Sequence, residues 1–217
     1  MRFKSPTGSE DFEVAVIAPT AIARRAPFEL VLLDGKEGVS VYGKQGQRLW
    51  QRTHPDCGAV DRMATDAGGA IVFVCGYSVI RFSKDGELSW QKRPLGNKHL
   101  RGPWLDEQGN AYISGGGVVA SVKPDGELRW KLSTGFNRAI SEIAWNARGN
   151  MVFDTGMDAL HSDGDEFRFY YDQEPNELFE VTRDGVIVAR ETHEGIPAKG
   201  WPAVRPLPED KAHRIPD

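Results

Sequence analysis

Lys123-Pro124-Asp125-Gly126-Glu127-Leu128-Arg129-Trp130 is the third writing of one motif in this chain. Lys84-Asp85-Gly86-Glu87-Leu88-Ser89-Trp90 and Lys44-Gln45-Gly46-Gln47-Arg48-Leu49-Trp50 precede it. Gly46, Gly86 and Gly126 stand 40 residues apart, and so do Trp50, Trp90 and Trp130. A constant period of that size marks an array of supersecondary units.

Working outward, each copy sits in a set of short apolar runs split by turn residues. Asp66-Ala67-Gly68-Gly69, Asp106-Glu107-Gln108-Gly109 and Asn146-Ala147-Arg148-Gly149 are turns at the same period. Ala70–Cys75, Ala111–Ser114 and Met151–Phe153 follow them as strands, and Gly76, Gly116 and Gly156 turn those strands back. Each unit therefore holds four short strands joined by tight turns, where positive φ favours glycine. No stretch carries a helical apolar period. Four-stranded units at this spacing predict an all-β fold, a small propeller of about four blades, closed or partly open.

The expected organisation is a disordered segment over 1–11 and one propeller domain over 12–194. Its units lie near 12–52, 59–93, 99–132 and 140–192. Phe12–Ile17 alternates and reads as a strand, broken by Pro19 and Arg24-Arg25-Ala26-Pro27. An extended proline-rich tail over 195–217, with Trp201, is expected to dock on the surface. The N-terminal strand or this tail would complete the last sheet. The fourth unit carries an insertion over 157–175, so Gly185 falls 19 residues late, and Ala189 stands where the period expects tryptophan.

The repeat resembles that of the pyrroloquinoline-quinone-type β-propellers, whose tryptophan docking motif reads Ala-x-Asp-x-x-Thr-Gly-Lys-x-x-Trp. Ala120, Gly126 and Trp130 match its offsets, and the Gly86/Trp90 and Gly46/Trp50 pairs match in part. The resemblance implies that each tryptophan wedges between blades and packs on a glycine turn. It gives Trp50, Trp90, Trp130, Gly46, Gly86 and Gly126 structural roles. Quinone enzymes of that family have about twice as many blades. The chain shows no quinone-ligand set, so no cofactor is expected, and scaffold-type members are the nearer comparison.

Composition bounds the partners. The 217 residues carry 27 Lys and Arg against 31 Asp and Glu, a formal charge of −4. That balance argues against nucleic acid. No apolar run is long enough for a membrane helix. Without a visible signal peptide, the expectation is a soluble, cytoplasmic protein, and Cys57 and Cys75 are then expected reduced although they could come within bonding reach.

Blade topology sorts the loops by face. Inter-blade loops and the turns between second and third strands share one face. That face gathers His54, Asp56 and Cys57, then Asn97, Lys98, His99 and Arg101, then Phe136, Asn137 and Arg138. The insertion emerges there too, with Asp163, Asp165, Arg168, Phe169, Tyr170 and Tyr171. This mixture of aromatics and charge suits a protein-binding hot spot. It equally suits a long hairpin whose aromatics cover the last blade. Asp163–Glu166 lacks the spacing of a calcium loop and reads as a solvated turn. The histidines lack metal-ligand spacing, so no metal is expected.

The functional expectation is a non-catalytic protein-binding module, of the inhibitor, immunity or scaffold kind found in bacteria. The alternative is a carbohydrate- or small-molecule-binding propeller using Trp104 and Trp145 at the channel mouth. No catalytic motif supports an enzyme: there is no Gly-x-Ser-x-Gly elbow, and no helix follows Gly115-Gly116-Gly117 to make a phosphate loop.

Overall fold

The computed structural model describes residues 2–4, 11–13, 21–25, 29–34, 38–43, 45–53, 60–135, 140, 143–155, 161–163, 166–168 and 176–193. All regular structure in these residues is β. The first sheet runs β3 (Ala21–Arg25), β4 (Glu29–Asp34), β5 (Gly38–Tyr42), β6 (Arg48–Arg52). The second runs β7 (Val60–Thr65), β8 (Ile71–Cys75), β9 (Ser78–Phe82), β10 (Leu88–Lys92). The third runs β11 (Arg101–Leu105), β12 (Ala111–Gly115), β13 (Val118–Val122), β14 (Leu128–Ser133). The fourth runs β15 (Ala144–Trp145), β16 (Met151–Asp154), β19 (Asn176–Val181), β20 (Ile187–His193). Between β16 and β19 the insertion forms its own hairpin, β17 (His161–Asp163) with β18 (Glu166–Arg168).

Three expectations change. Within 1–11, β1 (Arg2–Lys4) pairs with β2 (Asp11–Glu13). The opening strand of the first sheet is Ala21–Arg25, not Phe12–Ile17, and it pairs along its whole length with Glu29–Leu33. The described strands of the fourth sheet all come from 144–193, and neither β1 nor β2 joins it. The tail at 195–217 lies outside the described residues.

The chain divides into two compact units. One holds residues 1–111 and 123–127, the other 112–122 and 128–217. In the first unit the opening strands lie side by side, β3 against β7 and β7 against β11. Its core joins Val39, Val41, Met63, Ile71, Phe73, Ile80 and Phe82, with Trp50 packed on it. Phe73 stacks on Phe82 at 5.9 Å. β8 is buried at every position, as a strand covered on both faces should be, whereas β10 is mostly exposed. In the second unit Phe153 stacks on Phe179 at 5.4 Å, and Tyr112 meets both Trp130 and Trp145.

One irregularity recurs in all four sheets. Each pairing of third and fourth strands skips one residue: Leu49, Ser89, Arg129 and Val188. These are β-bulges, which re-aim the following side chain. In three sheets that side chain is a tryptophan. Trp50 Nε1 donates to the Lys84 carbonyl at 3.0 Å and Trp90 Nε1 to that of Pro124 at 2.8 Å, both in the first unit. In the second unit Trp130 Nε1 donates to the Arg183 carbonyl at 2.7 Å. The rings lie on Gly86, Gly126 and Gly185, each the turn glycine of the following sheet and not of their own.

Cys75 closes β8 and is disulfide-bonded, which corrects the expectation of reduced thiols. The only other cysteine in the sequence is Cys57.

Candidate binding surface

The sheet topology of the first unit separates two kinds of turn. The turns after β7 and β9 lie at one end of the second sheet. The turn after β8 and the segment leaving β10 lie at the other. At that second end Gly76-Tyr77 reverses the chain, with Cys75 opposite Ser78. Residues 93–100 then lead toward β11. Gly96 N donates to the Arg93 carbonyl at 3.1 Å and Lys98 N to that of Leu95 at 3.4 Å, which curls the segment into successive turns. Leu100 is buried, and its N–H donates to the Gly76 carbonyl at 2.8 Å. That bond ties the inter-sheet loop to the hairpin turn beside it.

The tie brings Tyr77 and His99 together. Their ring centroids are 4.5 Å apart, tilted by 47°. Tyr77 is one of four large apolar side chains exposed among the described residues. Lys92, Arg93, Lys98 and His99 are exposed and Arg101 is half-buried. Two of the expected contact residues, Lys98 and His99, thus belong to one loop of defined backbone, and a third, Arg101, opens β11. Asp163 and Arg168 fall on the β17–β18 hairpin, where the backbone alone is described. His54, Arg138, Asp165, Phe169, Tyr170 and Tyr171 lie outside the described residues, so the insertion's role is untouched.

Tyr77 escaped the sequence reading. Its only signal was a comparison of repeats: Gly76-Tyr77 in the second unit stands where the third has Gly116-Gly117. A large aromatic there, against glycine in the next copy, is what marks the turn out.

The inner strands carry the residues of the small-ligand alternative. Trp104 on β11 is buried, and the Arg62 guanidinium lies 5.2 Å from its ring centroid. In the second unit Arg183 lies 5.8 Å from the Trp145 ring, whose other neighbour is Tyr112, edge-on at 4.9 Å. Sugar stacking needs an open aromatic face. A guanidinium covers one face of each ring. Among the described residues no three His, Cys, Asp or Glu converge as metal ligands.

No family model matches the chain, and no curated protein matches it in sequence. Solved structures match it in shape. Virginiamycin B lyase from Staphylococcus aureus aligns at a TM-score of 0.56 and 12% identity, over 78% of this chain and 68% of the lyase. BamB from Moraxella catarrhalis aligns at 0.50 and 14%, over 62% of this chain and 40% of its own. The fold is a β-propeller.

This corrects one expectation. The propeller was expected not to be an enzyme, yet an enzyme, virginiamycin B lyase, is built on the same fold. The lack of a catalytic motif therefore does not remove catalysis from what this propeller can do. At such low identity the likeness carries the fold alone, and no catalytic residue transfers with it.

Proposed function

We propose that this propeller is a protein-binding module, and that the loop end of its second sheet is the contact surface. The supporting observation is the partly exposed Tyr77–His99 ring pair, beside the Leu100–Gly76 backbone bond that joins their two turns. Tyrosine supplies large contact area at low entropic cost and is enriched at protein interfaces. A loop fixed by its own backbone loses little freedom on binding. The glycine–tryptophan spacing supports placing the propeller among those of the pyrroloquinoline-quinone repeat type, and the disulfide at Cys75 supports an oxidising working compartment over the cytoplasm.

The test is selection of peptides from a random displayed library against the intact protein. Enriched peptides should lose about tenfold or more in affinity against the Tyr77→Ala and His99→Ala variants, the scale of a hot-spot truncation. Peptides that bind both variants as well as the parent would overturn this surface. Thermal melts of both variants verify that the scaffold is intact.

A further inference from the structure

We propose that this loop surface takes an acidic, carboxylate-rich stretch of its protein partner, an inference that rests on the protein-binding reading above. Acids outnumber bases in the chain as a whole, 31 to 27. Residues 88–105 reverse that balance: they hold Lys92, Arg93, Lys98, His99 and Arg101, and no Asp or Glu. This acid-free run is the segment that leaves β10, curls through the loop and starts β11.

The two ends of the second sheet differ in charge. Its far-end turns carry Asp66, Asp85 and Glu87, with Lys84 among them. Such segregation orients an approaching acidic chain toward the basic end and repels it from the other. The exposed cations sit on or beside a loop whose backbone is set by its turns and tie, so the backbone needs little ordering on binding. Tyr77 beside them gives the acidic segment an apolar contact. A nucleic acid would want a longer basic track than one loop, and the chain's net charge opposes it.

The experiment uses the full chain and a fluorescein-labelled Glu-Gly repeat peptide, read by anisotropy. Binding should weaken several-fold between about 20 and about 200 mM NaCl, because exposed charges are screened over that range. Combined Arg93→Glu and Lys98→Glu reversal should lower affinity about tenfold or more, whereas Arg48→Glu, an exposed reversal on the first sheet's outer strand, should leave it unchanged. Equal binding of a Lys-Gly peptide would overturn the proposal. So would an oligonucleotide that binds more tightly than the Glu-Gly peptide, which would assign the surface to nucleic acid. If the Glu-Gly peptide fails while library-selected neutral peptides still depend on Tyr77, the acidic preference falls and the contact surface stands.

Discussion

The second and fourth sheets solve one packing problem with opposite charges. The third-strand residue opposite the tryptophan site is Arg81 in the second sheet and Glu180 in the fourth. Each reaches the turn between its own first and second strands. Arg81 pairs with Asp66, whose other oxygen accepts the Ala70 N–H at 2.9 Å. Glu180 pairs with Arg148 and accepts from Asn146 and Asn150 at 2.8 and 2.6 Å. These two sheets therefore use the position for polar links of opposite sign, where the first sheet has Val41 and the third Ser121. Solvent access differs as well. Arg81 and Asp66 are both about nine-tenths buried, and Arg81 Nη1 has no acceptor among the described residues. Glu180 is 1% exposed, but its partner Arg148 is 58% exposed.

That difference ranks the mutations. Asp66→Ala leaves a buried guanidinium without its counter-charge and should cost about 3–5 kcal/mol in urea unfolding. Glu180→Ala should cost only about 2 kcal/mol, because Arg148 turns to water and only the two amides lose their acceptor. Equal losses at the two sites would break the comparison. Joint replacement by Arg81→Met and Asp66→Asn should stay within about 1 kcal/mol of the parent, since removing both charges also removes their desolvation cost.

What the two sheets share is a tryptophan received from the sheet before. Trp50 lies on the second sheet's Gly86, and Trp130 on the fourth sheet's Gly185. Each link gains a guanidinium, Arg52 to the Gly86 carbonyl at 2.8 Å and Arg129 to the Arg183 carbonyl at 3.0 Å. Trp50→Ala and Trp130→Ala should therefore cost alike, about 3 kcal/mol each by thermal or urea unfolding. Trp→Phe at either site should cost about 1 kcal/mol, the share of the lost N–H bond. A large gap between the two sites would mean that the links are not equivalent.

The glycines and tryptophans were legible because turn chemistry and period are local. The partner of each tryptophan was not, since a periodic sequence looks the same whichever copy is paired with which. The bulges at Leu49, Ser89, Arg129 and Val188 left no mark either, because four unlike side chains occupy one backbone position. Ala21–Arg25 was read as a break because two arginines and Pro27 outweighed its short apolar start. At the surface, topology alone announced the position of Lys98, His99 and Arg101 near the loop end of the second sheet. Tyr77 depended on Leu100 reaching Gly76, a contact across 24 residues that no local pattern announces.

The glycines themselves provide the finest test of the links. Gly86 and Gly185 have φ of +82° and +81°, and an added Cβ would stand 2.7 Å from Cδ2 of Trp50 or Trp130. Gly76 also has positive φ, +58°, but a Cβ there meets nothing within 4 Å. Ala at Gly76 should therefore cost about 1 kcal/mol, the left-handed backbone penalty alone. Ala at Gly86 or Gly185 adds displacement of an indole ring and should cost about 2–3 kcal/mol, by about the same amount in both sheets. The ring is held by its own N–H bond, so it cannot slide away without losing that bond too. If Trp50→Ala abolishes the extra cost of Gly86→Ala in a double-mutant cycle, ring displacement is its source. If the cost persists, the strain lies in the turn backbone, and the contact between sheets contributes less than its geometry implies.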